Sequence, residues 1–302
     1  MKKIATYGVL LLLVLPLMSS GQRLRNRWKA MRAEVHFGIG ATNFLGELGG
    51  ANQIGTHYFK DFEFSQTRLA LSAGYRYKIN SSLALNTSLS YGQLAGNDNL
   101  TTEFFRNYRN LSFKSDIYEL DSHLEFSLIK DQVGHRYRLK GVRGQRGFEM
   151  ASYLFVGIGV FHFNPKGQYE GRWVSLQPLG TEGQGLVGTR KKYSRTQLAF
   201  PIGFGFKYTL DRRWGIGLEY GLRYTFTDYI DDVSKTYYDN GLLQSEKGPE
   251  AAALADRSDG TYYYITAPGA QRGDPRHKDA YMFAIFSINY KLRTGRTVYP
   301  LF

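Results

Sequence analysis

Thr227-Asp228-Tyr229-Ile230-Asp231-Asp232 sets three carboxylates within five residues, the kind of oxygen-rich group that can hold a hard cation. Calcium takes about 6–8 oxygen ligands from regularly spaced acids with a central glycine. This segment has neither the spacing nor the glycine. Asp228, Asp231 and Asp232 are therefore expected to cap a helical turn or to be solvated at a loop rim, and no metal site is expected. The six histidines, His36, His57, His123, His135, His162 and His277, are scattered along the chain. His123 stands among Glu119, Asp121 and Glu125, where a structural histidine is the default. No Gly-x-Ser-x-Gly or His-Glu-x-x-His string occurs, and no glycine-rich loop runs into Lys and Ser or Thr. Nothing assembles a nucleophile, a base and an oxyanion donor. Catalytic residues, cofactors and a small-molecule substrate are accordingly not expected.

The elements that carry these residues alternate. Successive strand side chains point to opposite faces, so a period of two marks one apolar and one polar surface. Eight runs show it. They begin near Glu34, Arg68, Leu83, Tyr118, Tyr153, Gln197, Trp214 and Met282, and most reach the roughly 9–11 residues of a membrane-crossing strand. In the seventh, Trp214, Ile216, Leu218, Tyr220, Leu222 and Tyr224 oppose Gly215, Gly217, Glu219, Gly221 and Arg223. Connections alternate too. Ile79–Ser82 and Leu210–Arg213 are short, whereas Thr42–Thr67, Ala95–Tyr108, Asn164–Arg195 and Asp228–Lys278 are long, and Ile129–Gly147 departs from the rule. Short turns on one rim and long loops on the other are the outer-membrane pattern. Aromatic residues collect at both ends of the strands, Tyr77, Tyr208 and Trp214 by the short turns and Tyr91, Tyr224 and Phe226 opposite.

The fold expected is an all-β, antiparallel, up-and-down transmembrane β-barrel of eight strands with a filled lumen. Ten strands is the alternative, should Arg172–Ser175 or Tyr262–Ile265 also pair. The mean hydropathy of −0.38 does not oppose a barrel, since only alternate residues face lipid. With about eight strands the bore holds side chains and no channel. Arg68, Arg76, Glu119, Asp121, Glu125, Glu219 and Arg223 are expected inside as an ion-pair network, and the glycines at 203, 205, 215, 217 and 221 as room for close strands or large lumen side chains.

Lys2 and Lys3, the apolar run Ile4–Met18, and Ser19-Ser20-Gly21 have the layout of a cleavable signal peptide over residues 1–21, with cleavage before Gln22. A basic periplasmic segment over 22–33, the barrel over 34–293 and a periplasmic tail over 294–302 would follow. There is no cysteine, so lipid attachment to one is impossible. Loss of Lys2 and Lys3 takes the net charge from +13 to +11. The excess lies on what should be the short-turn rim: Arg23, Arg25, Arg27, Lys29 and Arg32; Lys130, Arg136, Arg138, Lys140, Arg143 and Arg146; and Lys291, Arg293 and Arg296. Two readings fit: contact with outer-membrane lipid headgroups, or docking of an acidic periplasmic partner, since charge of one sign steers association. No nucleic-acid-binding module is present, and nucleic acid is not an expected partner.

Four strings carry a family resemblance. They are Arg109-Asn110-Leu111-Ser112-Phe113, Gly157 to Pro165, Leu176 to Gly185, and Tyr224 to Ser234. The most specific are Pro178-Leu179-Gly180-Thr181-Glu182-Gly183-Gln184-Gly185 and Phe226-Thr227-Asp228-Tyr229-Ile230-Asp231-Asp232-Val233-Ser234. On these strings the chain resembles the small outer-membrane PorG-like family of the type IX secretion system, over nearly its whole length after the leader. The resemblance implies a non-enzymatic outer-membrane protein of Bacteroidota-type bacteria that associates with a periplasmic ring of secretion subunits and is not itself the pore. A surface receptor or adhesin working through the long loops is the alternative. The Leu176–Gly185 loop is expected to fold compactly over the barrel mouth.

Overall fold

Alternation becomes a wall of strands. The computed structural model describes residues 31–48, 64–130, 150–211 and 213–293. In chain order the strands are β1 (Ala33–Leu45), β2 (Arg68–Lys78), β3 (Leu83–Asn97), β4 (Ser112–Ile129), β5 (Met150–Tyr169), β6 (Arg172–Ser175), β7 (Thr196–Thr209), β8 (Trp214–Thr225) and β9 (Ala280–Leu292). They pair in the order β4-β3-β2-β1-β9-β8-β7-β5, and β4 also pairs with β5, which closes the ring. Closure satisfies the backbone of every wall strand without leaving an edge, the condition for strands to cross hydrocarbon. The eight-strand expectation holds. Arg172–Ser175 does pair, but only as a ribbon folded back on β5. Tyr263–Thr266 is a helical turn, which disposes of ten strands.

The outer face is apolar on every wall strand. Ile39, Leu71, Leu89, Leu120, Ile158, Ile202, Leu218 and Phe286 all point outward and are exposed, Leu89 by 59%. In water so large an apolar belt would drive association. Facing lipid, it is the solvated side. Among the described residues no helix is long and apolar enough to cross a membrane, so crossing falls to the strands. Trp214 packs on Tyr290 at one rim (ring centroids 4.7 Å apart), and Tyr91 on Tyr118 (5.2 Å) and Phe200 on Phe226 (5.4 Å) at the other. These are the two expected girdles, where amphipathic rings suit the headgroup layer.

The short turns are set by two side chains. Asn80 Oδ1 accepts from the backbone N–H of Ser82 (2.7 Å) and Leu83 (2.8 Å). Asp211 Oδ1 accepts likewise from Arg213 and Trp214, both at 2.7 Å. Such side-chain turns replace the backbone bonds that a reversal forfeits. Pro201 has no N–H to give, and the β5–β7 ladder is interrupted there, from Val156↔Ile202 to Gly159↔Ala199. Two glycine positions make room inside. A Cβ on Gly205 would meet the Tyr153 ring at 2.2 Å, and one on Gly203 would meet Phe155 Cζ at 2.7 Å and the Tyr220 carbonyl at 2.1 Å.

Candidate functional site: a filled bore beneath a folded loop cap

Charges on the inward face neutralise one another. Arg76, from β2, gives Nε to both oxygens of Glu125 on β4 (2.6 and 2.8 Å) and Nη1 to Glu34 on β1. Lys207 of β7 stands 3.4 Å from Glu125 and 3.6 Å from Glu34. Higher in the bore, Arg223 Nε donates to Glu119 (3.1 Å), which also accepts from the Tyr281 hydroxyl. His123 Nδ1 lies 2.6 Å from Asp121, and the Tyr153 hydroxyl donates to Glu219 at 2.7 Å. Burying a charge without a partner costs several kcal/mol, so the network is what lets the bore be charged and closed at once. Glu34 and Lys207 belong to it although they were absent from the expected set.

Arg68 does not belong. Its guanidinium turns to Ser65, Gln66 and Thr67 at the start of β2, outside the network. It begins a strand that points its first inward residue at the long-loop rim, where nearby carbonyls are in reach and lumen acids are not. Aromatic rings take much of the remaining space. Tyr153, Phe155, Phe161, Phe163, Tyr281 and Phe283 are all buried. The inward parity of Tyr153, Phe155 and Phe161 is legible in the sequence, but Tyr281 and Phe283 precede the clean part of the last alternating run and give no such signal.

Above the rings the loops fold into a cap. Ile230 and Val233 join Phe161, Phe163, Tyr281 and Phe283 in one buried cluster, sealing the mouth. Tyr193 stacks between Phe163 (6.1 Å) and Tyr229 (4.6 Å). The cap centres on Glu182, which is wholly buried. Its carboxylate accepts from the backbone N–H of Ser234 (2.9 Å) and Lys235 (3.1 Å), from the Tyr229 hydroxyl (3.3 Å), and from Arg190 and Arg272 (each 3.2 Å). Thr181 donates to Asp232, which also accepts from the Tyr193 hydroxyl at 2.6 Å. The two most specific sequence strings thus lock onto each other.

The rest of the first string builds the turn that presents Glu182. Leu176–Leu179 is one helical turn, here α2 after α1 (Phe104–Arg109). It holds Pro178, and Leu179 packs on Leu243, Ala251 and Ala255 from α3 (Asn240–Lys247) and α4 (Pro249–Ala255). Gly180, Gly183 and Gly185 have φ of +66°, +81° and +82°, conformations that L side chains rarely adopt. Gln184 is buried and its side-chain oxygen accepts from the Glu182 N–H at 2.9 Å. Compact folding over the mouth is as expected; the short helices between 240 and 255 were not foreseen.

The acidic segment behaves differently from expectation in one respect. Asp231 does cap a turn, accepting from the Val233 N–H (3.0 Å), and it also accepts from Leu48 (3.3 Å). Yet Asp228, Asp231 and Asp232 are all buried, none being solvated at the rim. Burial pushes Asp228 up to about 8 and Asp232 to about 6, the latter against the pull of Arg272. Burial raises Asp231 and Asp279 as well, Asp231 with a further push from Glu47 and Asp228, and Asp279 from Asp231 and Asp228. Among the described residues one trio of metal-capable groups converges, His123, Glu125 and Glu219, with ligand atoms within 4.8 Å. Glu125 is already held by Arg76 and Lys207 and Glu219 by Tyr153, so the trio reads as part of the ion-pair network. The docking candidates Arg23, Arg25, Arg27, Arg136, Arg138, Lys140, Arg143 and Arg146 lie outside the described residues.

Fold and site together define a closed, eight-stranded barrel of the outer-membrane type, plugged by its own side chains. The chain belongs to the family described as a domain of unknown function, DUF6089, whose model matches residues 11–244. No curated protein matches it. Among solved structures it is similar to Ail, the attachment invasion locus protein of Yersinia pestis, at 9% identity and a TM-score of 0.37, covering 87% of this chain and 100% of that one. It is also similar to the outer membrane protein OprG of Pseudomonas aeruginosa, at 9% and 0.35, covering 88% and 97%. Neisserial surface protein A is similar at 7% and 0.33, covering 86% and 95%.

Proposed function

We propose that this chain is a non-enzymatic component of the outer membrane that anchors or organises a periplasmic ring partner of a protein-secretion machine, of the type IX kind. The observation that carries the reading is the filled bore. Arg76, Glu125, Glu119 and Arg223 span it with ion pairs, and Ile230 and Val233 close its mouth. A barrel that conducts nothing acts through its rims. The short-turn rim is where the sequence concentrates Arg136, Arg138 and Arg143, and an acidic ring subunit is the partner such charge would steer. Reversal of all three to Glu, followed by isolation in mild detergent and mass spectrometry, tests this. The ring partner should be lost while the barrel still folds; undiminished co-isolation would reject the anchoring role.

A second reading is favoured by one feature of the other rim. Phe105, Tyr263 and Tyr264 are exposed by 58%, 68% and 68% on α1 and α5 (Tyr263–Thr266), beside Phe104 and Tyr108, which each pack edge-to-face on Tyr262. Exposed rings on a rigid base are how adhesive surfaces make contact. If the protein is a receptor or adhesin, changing these three residues to Ser removes attachment and leaves secretion intact.

A further inference from the structure

A cleft of about 850 Å³ opens beside the cap, between the upper ends of β1, β8 and β9 and the loops that carry α1 and α5. Part of its lining is apolar. Leu45, Tyr224 and Ala280 form it, and Tyr224 stands in the upper aromatic girdle, 38% exposed on the lipid-facing side. Tyr264 and Ile265 of α5 add apolar lining.

The rest of the lining is largely cationic and holds unsatisfied donors. Arg106, Arg272, Arg276 and Lys278 belong to it, Arg272 with Nη1 already given to Glu182 and to the Asp232 carbonyl and only Nε left over. Arg106 Nε and Nη2, Arg272 Nε and the Tyr237 hydroxyl are buried with no hydrogen-bond partner. The nearest acid to Arg106 is Asp98 at 3.8 Å, and Asp98 is already taken by Arg109 at 2.8 and 3.0 Å. Two lining acids are already engaged, Glu47 by the Asp274 N–H and, at 4.0 Å, by Arg109, and Asp279 by the Ile230 N–H at 2.9 Å. Asp274 and Glu103 stay committed, Asp274 to His277 (2.9 Å) and Glu103 to the backbone of Phe105 and Arg106.

Buried donors cost stability when nothing accepts from them. Here the lone donors share one cleft with an excess of guanidinium groups, whose planar forks match phosphate oxygens. We infer that the cleft binds a phosphate-bearing amphiphile, its head among Arg106, Arg272 and Arg276 and its apolar part along Leu45 and Tyr224. The cleft's position at the upper girdle makes an outer-leaflet lipid the source. A soluble phosphate compound is the other source of the same head chemistry.

The test uses the full chain folded in detergent micelles, titrated with short-chain phosphatidic acid, with the matching phosphatidylcholine, and with inorganic phosphate. Saturable binding of phosphatidic acid is expected, weakened about tenfold or more by Arg106→Gln with Arg276→Gln, since each loses a charge-assisted bond. Lys191→Gln, an exposed charge loss away from the cleft, should leave it unchanged. Heat-modifiable gel mobility establishes that each variant is folded. Equal affinity for phosphatidylcholine, or no response to the arginine changes in a folded barrel, overturns the proposal. Inorganic phosphate binding as tightly as phosphatidic acid overturns the lipid assignment in favour of a soluble ligand.

Discussion

Glu182 and Arg272 lie 90 positions apart in sequence and meet at 3.2 Å inside the loop cap, with their side chains 0% and 2% exposed. Their pairing joins the β6–β7 loop to the β8–β9 loop. It makes the cap one body in place of two strings.

Glu182→Ala should therefore unfasten the cap while sparing the wall. Removing one member of a buried pair costs about 3–5 kcal/mol, because the other charge is stranded. Hydrogen exchange should rise across residues 226–240 and leave β2, β3 and β4 protected. Equal loss of protection in the wall would show that cap and barrel are not separable.

Arg76→Leu takes the main partner from two buried carboxylates, Glu34 and Glu125, and leaves them to share Lys207. A loss on the order of 3–5 kcal/mol is expected in denaturant unfolding from micelles. Adding Glu34→Leu, Glu125→Leu and Lys207→Met should recover much of it, since a buried charge cluster is often replaceable as a whole by apolar groups of similar volume.

Stability of the cap should fall as pH rises. Asp228 and Asp232 have folded-state values raised to about 8 and about 6, so between the ordinary carboxylate range and those values the folded cap binds more protons than the unfolded chain. Their contribution is complete at acid pH, erodes from about 4 upward, and is gone above about 8. Limited proteolysis of the 226–279 loop from pH 5 to 9 should speed up with pH. Asp228→Asn should flatten the alkaline half of that profile.

Gly205→Ala forces a methyl group into the Tyr153 ring, which is tied to Glu219 and lies against Arg76 and Lys207. Overpacking of this kind costs about 1–3 kcal/mol. Pairing it with Tyr153→Phe does not relieve the clash, whereas Tyr153→Leu should, which separates crowding from the loss of a hydrogen bond.

The wall was readable because lipid on one side and packed polar groups on the other impose a strict period of two. Outward Leu89, Leu120 and Ile158 could hardly be misread. Arg68 was misplaced because periodicity gives a residue's face but not its height, and at the rim a guanidinium finds loop carbonyls first. Tyr281 and Phe283 escaped notice because aromatic residues suit the lipid face as well as the bore. In the cap, the string containing Glu182 and the string containing Asp232 were both recognisable. Their union depends on contacts across some fifty residues of irregular chain, where no repeat announces the partner.

Uneven strand length gives the barrel a front and a back. β4 and β5 run for 18 and 20 residues, while β9 and β1, which stand opposite them in the ring, have 13 each. At roughly 3.3 Å per residue the longer pair outreaches the strands across the ring by about 15–25 Å along the strand. It stands up as a parapet on one flank, with β6 folded against it. Among the described residues, the lowest approach from outside runs over the opposite flank, where β1, β8 and β9 end beside the cleft.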